Sequence, residues 1–141
     1  MTPVTQTKVV VTNSKGEVIV RGNCFAACIA SMLDLPISEV PNIETLYGIE
    51  ENFYWEVLWR WLTHLGYELS VDDRFRCFHG DESKSEYKEQ LKDQYYLVSG
   101  SSPRGNFHHI TIWQNGKMVH DPHLTKEGIT SFEVFESLEK I

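Results

Sequence analysis

The sequence predicts an α+β fold in which an N-terminal, cysteine-bearing central helix packs on an antiparallel β-sheet. Three observations predict it. The run from Cys24 to Leu33 is small and apolar at helical spacing. A second helix shows a clear amphipathic stripe and stops at Gly66. Short β-branched runs elsewhere are joined by hairpin turn signals.

Taken in order, Val9-Val10-Val11 and Val18-Ile19-Val20 read as strands, with Asn13-Ser14-Lys15-Gly16 supplying the turn. Arg21-Gly22-Asn23 then breaks the strand. In the helix that follows, Phe25, Cys28, Ile29, Met32 and Leu33 recur at helical spacing, Asn23 is placed as its N-cap and Pro36 closes the region. Ala26, Ala27, Ala30 and Ser31 let neighbours approach it closely, so it is expected to be central and buried. Pro36 to Gly48 connects, with one helical turn around Ser38-Glu39-Val40. The second helix places Tyr54, Val57, Leu58, Trp61, Leu62 and Leu65 on one face, with Gly66 as its C′ glycine. Trp55 and Trp59 form a shorter second stripe, expected to be packed.

Tyr67 to Val71 is expected to be a strand. Asp72 to Lys92 is polar, with a short helix from Ser85 to Leu91. Tyr95 to Val98 is a further strand, and Gly100 to Gly105 a mobile loop. His109 to Trp113 and Lys117 to His120 form a hairpin about Asn115-Gly116, while Ile129 to Leu138 reads equally as strand or helix. Neither a repeat nor a domain boundary interrupts the chain, so residues 1–141 are read as one domain.

Composition narrows the function. A formal net charge of -7, without a basic patch, argues against nucleic acid and anionic membrane partners. No stretch reaches the roughly 18 apolar residues of a membrane span, and no signal peptide precedes the first strand. Three cysteines, an odd number, fit free thiols in a reducing, cytoplasmic setting. Cys28 and Cys77 read as core residues. Glu50-Glu51 and the acids from Asp72 to Glu89 read as solvated surface, without the paired carboxylates of a glycosidase. The Gly100 to Gly105 segment lacks the order of a phosphate loop.

The chemistry concentrates in three places. Cys24 sits at the first turn of a buried helix, His108-His109 open a late strand, and Asp121 follows the partner strand. A thiol reacts as thiolate, and an ordinary pKa of about 8.5 leaves little of it at neutral pH. A helix N-terminus and a nearby imidazole both favour the anion, and the Cys24 N–H is available to an oxyanion. A carboxylate behind the imidazole would orient it. Which histidine meets Asp121 depends on the turn. A three-residue loop, Gln114 to Gly116, sets His109 opposite Asp121, whereas a two-residue Asn115-Gly116 turn gives His108 that face.

Gly22-Asn23-Cys24-Phe25-Ala26-Ala27-Cys28-Ile29-Ala30-Ser31, His108-His109-Ile110-Thr111-Ile112 and His120-Asp121-Pro122 resemble the papain-like cysteine peptidases, in particular their small bacterial and phage-borne relatives of the NlpC kind. The resemblance covers the Cys helix and the last hairpin well and the middle poorly. It implies a papain-like fold with Cys24 as nucleophile, His109 as base and Asp121 orienting it, and therefore the three-residue loop. It also implies an oxyanion glutamine shortly before the cysteine. The nearest is Gln6, separated from Cys24 by the first hairpin, which returns the chain to its starting point; Asn23 is the fallback donor.

The expected activity is that of a thiol hydrolase or acyltransferase acting on a peptide, isopeptide or small amide through a thioester, with no cofactor and no metal. Two alternatives stand beside it. His108, His109, His120 and His123 lie on one hairpin and could ligate Zn²⁺ with Asp121, though no dedicated ligand spacing is present. Alternatively, the fold serves as a non-catalytic binder of a host protein or small molecule, with Trp55 and Trp59 as its surface.

Overall fold

The computed structural model describes residues 1–45 and 51–141. Gly48 and Glu50, and the side chain of Tyr54, fall outside this description. The architecture is α+β. Strands β1 (Val11–Thr12) and β2 (Val18–Val20) form a small hairpin, helix α1 spans Cys24–Leu33 and helix α2 Glu51–Leu65. A five-stranded sheet follows, from β3 (Tyr67–Val71), β4 (Tyr95–Ser101), β5 (His108–Gln114), β6 (Lys117–His120) and β7 (Val134–Lys140). All its pairings are antiparallel, in the order β3-β7-β4-β5-β6. Among the described residues no helix is long and apolar enough to cross a membrane.

Alternation along the strands divides the core in two. On one face Leu97 and Ile112 meet Cys28 and Ile29 of α1 and Leu58 and Leu62 of α2. On the other, Tyr96, Val98 and Phe135 pack against Phe75, Cys77 and Leu91. That second core comes from the segment expected to be polar surface. Instead of a helix from Ser85 to Leu91 it holds two 3₁₀ helices, Asp73–Phe78 and Glu82–Tyr87. Each starts on an aspartate, Asp72 or Asp81, whose side chain accepts the N–H two residues on.

Two other expectations are corrected, on the tryptophans and on Gly100, and two are made specific. Trp55 and Trp59 are 52% and 62% exposed rather than packed. The helical turn after Pro36 is a 3₁₀ helix, Ile37–Glu39. Gly100 belongs to β4, buried against the Ser131 backbone where any Cβ would collide, so the expected mobile loop begins only at Ser102 and is closed by a bond from Ser102 N to Phe107 O. The ambiguous C-terminal stretch is a strand, and it lies between β3 and β4 in the sheet.

Asn23 occupies the N-cap position of α1, yet its side chain makes no cap bond. Its Oδ1 accepts Thr7 N and Lys8 N at 3.0 and 2.8 Å, and its Nδ2 donates to Thr7 Oγ1 at 2.8 Å. With the bond from Asn23 N to Lys8 O, these contacts hold both ends of the first hairpin together. An extended N-terminal arm runs on from there: Val4 N donates to Ser31 Oγ, Gln6 N to Pro122 O, and His120 Nε2 to Val4 O. Asn23→Ala strands two backbone donors and is expected to destabilise the fold by about 1–3 kcal/mol in chemical denaturation. Asn23→Asp keeps the acceptor and is expected to lose less.

Candidate active site

The last hairpin resolves the choice between the two histidines through a device absent from both sequence alternatives. Gln114 pairs with Lys117 and Trp113 with Met118, so the turn is the two-residue Asn115-Gly116, both at positive φ (52° and 80°). Taken alone, this register would turn His108 toward Asp121. Beyond Trp113, however, Ile112 pairs with His120, which leaves Val119 as an extra residue in a β-bulge. One extra residue reverses the face of everything past it. His109 therefore shares Asp121's side, although the expected three-residue loop is absent.

The His109 Nε2–Asp121 Oδ1 distance is 2.7 Å, and the two side chains are 2% and 0% exposed. Asp121 is held from several directions. His123 N donates to Oδ1 at 2.9 Å, Gly128 N to Oδ2 at 2.7 Å, and Lys126 Nζ bonds the Asp121 carbonyl. The bond to His123 N is the turn that Asp-Pro suggests, so the aspartate serves as turn former and histidine partner at once. None of the anchors Gly128, His123 and Lys126 was singled out from the sequence for this role. Only the Asx-turn spacing of Asp121 and His123 gave any signal.

With Nε2 taken, Nδ1 of His109 is left for Cys24, the first residue of α1 and half-buried. Burial alone would push the His109 pKa down. The hydrogen bonds to Asp121 and Cys24, reinforced by their charges, outweigh it and raise the value to about 9. Burial likewise works against the Asp121 carboxylate, but the bonds from His109, His123 and Gly128 bring its pKa to about 2. His109 is thus an imidazolium at neutral pH, between the Asp121 carboxylate and the Cys24 sulfur. Cys28, one turn along α1, is fully buried and donates to Ile110 O at 3.5 Å; burial raises its pKa well above the ordinary value. Cys77 is also buried, and all three thiols are free.

The first hairpin brings Gln6 back to the start of α1. A Cβ on Gly22, two residues before Cys24, would sit 3.2 Å from Gln6 Nε2, so glycine permits this approach. Gln6 Nε2 donates to Lys8 O at 2.8 Å, which fixes the amide's orientation, and Oε1 is buried without a partner among the described residues. Asn23, the fallback donor, is committed to Thr7 and Lys8. The uncapped first turn of α1 keeps its N–H groups available to an anion instead.

The remaining histidines separate. His108 Nε2 meets Glu133 Oε2 at 3.0 Å, His120 bonds Val4 O, and His123 Nδ1 bonds Thr125 Oγ1 at 2.9 Å while its ring stands edge-on to His109 at 6.2 Å. Among the described residues no three His, Cys, Asp or Glu side chains converge as metal ligands would. A cleft of about 780 Å³ opens on Cys24, lined also by Gly22, Asn106, Phe107, His108 and Ile110.

The pair's contribution to stability has two limbs. The His109 part is complete below its ordinary 6.5 and is lost as pH rises through about 9. The Asp121 part is complete above its ordinary 3.8 and is lost as pH falls through about 2. Asp121→Asn is expected to move the His109 titration, followed by NMR of the ring carbons, clearly downward from about 9. Deleting Val119 removes the bulge and is expected to do the same. A titration that stays near 9 in both variants overturns the pairing. No model of a known protein family, no curated protein and no solved structure matches this chain.

Proposed function

We propose that this chain is a cysteine-nucleophile hydrolase or acyltransferase of papain-like architecture, acting on an amide or isopeptide bond. The observation that carries the reading is His109, with buried Asp121 bonded to one ring nitrogen and Cys24 on its other side, at a cleft large enough for a substrate. The Cys helix packed against an antiparallel sheet, with Cys, His and Asp in that chain order, supports the papain-like assignment. The long separation of Gln6 from Cys24 departs from that family's usual spacing.

In the proposed reaction the proton shared by Cys24 and His109 lies on His109 Nδ1, and the Cys24 thiolate attacks the carbonyl carbon. The oxyanion is held by the Cys24 N–H and the second Gln6 Nε2 hydrogen, the first being committed to Lys8 O. Collapse breaks the C–N bond, and the leaving amine takes the proton from His109. A thioester remains, and water or a second amine, deprotonated by the now neutral His109, attacks it; the Cys24 thiolate is expelled and the His109 imidazolium is restored. Asp121 keeps the imidazole in orientation and stabilises its charged form throughout.

A second reading is favoured by one observation. Trp55 and Trp59 are more than half exposed on α2, a surface suited to holding a partner protein without turnover. Thiol chemistry separates the two. In the enzyme, iodoacetamide labels Cys24 well below pH 8 and leaves Cys28 and Cys77 untouched, as mass spectrometry will read. His109→Ala then slows labelling at pH 6.5 by about 10–100-fold. Gln6→Ala leaves alkylation unchanged, because no oxyanion forms, but slows Cys24 acetylation by p-nitrophenyl acetate about 100-fold. Cys24 labelling no faster than the buried thiols would sink the enzyme reading in favour of the binder.

A further inference from the structure

The cleft beside Cys24 contains a carboxyl that the fold does not need. Val71, Glu136, Leu97 and Ile112 form one row across neighbouring strands β3, β7, β4 and β5, on the face that packs against the helices. Leu97 and Ile112 are fully buried, while Val71, on the edge strand β3, is aliphatic and 65% exposed. Glu136 breaks the row. It lines the cleft from an interior strand, and its carboxyl has no hydrogen bond or ion pair among the described residues. Burial raises its pKa. A carboxyl in such a row is worse for stability than an aliphatic side chain, because it sheds water without gaining a partner.

Glu44 repeats the pattern on the same cleft. Its side chain is only 9% exposed and its Oε1 pairs with Lys8 Nζ at 2.9 Å. Its Oε2 is buried without a partner among the described residues. The basic side chains near the cleft are otherwise engaged: His108 bonds Glu133, and Arg21 has an interaction of its own. Ser99, in the row next to Glu136, adds a hydroxyl to the lining.

We propose that the cleft binds a cationic group of its substrate, an ammonium or guanidinium carried beside the acyl group delivered to Cys24, with Glu136 as its counter-ion and Glu44 adding negative charge to the same lining. The inference rests on the catalytic reading above and names the substrate class of that reaction. An ammonium supplies three donors and a guanidinium five, which match the oxygens left without partners here. An anionic group meets an unpaired carboxylate in a poorly hydrated setting and is rejected.

The test uses methanethiosulfonates of one size and different charge on the intact protein at low ionic strength. Rates of Cys24 modification are measured with the trimethylammonium-ethyl and sulfonatoethyl reagents. Each is divided by the rate of the neutral methyl reagent on the same variant, and 2-mercaptoethanol is the reference thiol. The expected cation-to-anion ratio at Cys24 exceeds the reference by about tenfold or more. Glu136→Gln and Glu44→Gln lower it, the first by about threefold or more, and Glu136→Lys inverts it. A ratio equal to the reference, or one unmoved by all three variants, overturns the proposal. Iodoacetamide separates the two claims. Slow neutral labelling with the ratio retained removes the catalytic mechanism and keeps the cation preference, and fast neutral labelling without the ratio does the reverse.

Discussion

The structure around the site depends on one buried bond, between His109 and Asp121. Both side chains are sealed from water, so either charge alone would be strongly unfavourable, and each is tolerable only with the other in place. The surroundings follow from that constraint. Val119 is bulged out so that the two residues share a face. The chain after β6 turns back on itself so that His123 and Gly128 present their N–H groups to the carboxylate. Met118 sulfur lies 3.3 Å from where a Gly128 Cβ would sit and the backbone there is at φ +76°, so this return needs glycine at its tightest point. The polar segment from Asp121 to Gly128 is therefore a cradle for one carboxylate, and that carboxylate in turn keeps the imidazole charged.

A second arrangement serves the other end of the site. A side-chain cap on α1 would be worth about 1 kcal/mol. Asn23 forgoes it and bonds the strand-like arm at Thr7 and Lys8 instead. Two consequences follow together. The first turn of the helix has no side-chain cap where Cys24 carries its thiol, so the partial positive charge of the helix end falls on the Cys24 sulfur rather than on a cap. The same bonds draw Gln6 to within contact of Gly22, so a hairpin that is itself mostly exposed brings a distant glutamine to the site.

Much of this was legible in the sequence because it is local. The helical stripe through Val57, Leu58, Trp61 and Leu62, the small-residue helix from Cys24, the C′ glycine at Gly66 (φ +86°) and the Asn-Gly turn are all written in spacing and residue type. Cys24, the His108-His109 pair and Asp121 stood out by their local contexts, while the choice of His109 over His108 rested on the resemblance. The bulge was not legible. Val119 looks like any strand residue, and its displacement is decided by the burial of His109 and Asp121, a tertiary effect. The insertion of β7 between β3 and β4 escaped for a related reason, since Phe135, Ser137 and Leu138 fit either period. The second core was missed because Phe75, Cys77 and Leu91 are spread thinly among charges, each too isolated to show a pattern. Glu136 is invisible in sequence because an acid among alternating strand residues reads as solvent-facing.

The site is thus assembled from two pieces, each local in sequence and ordered by its own turn: Gln6 to Cys24 around the first hairpin, and His109 to Asp121 around the last. Neither piece has chemistry alone. A thiol at an uncapped helix end gains only the weak, screened field of that end, and an imidazolium held by a carboxylate has no nucleophile. What joins them is the packing of α1 on the sheet, where Cys28 meets Ile110 O and Ile29 meets the Leu97 and Ile112 side. The cleft is completed only by β7, which brings Glu133 and Glu136 from the far end of the chain. The meeting of Cys24 and His109 therefore requires long-range packing to be complete. In the partly folded chain Cys24 and His109 lie on separate pieces, and they meet only as the cleft beside them is completed.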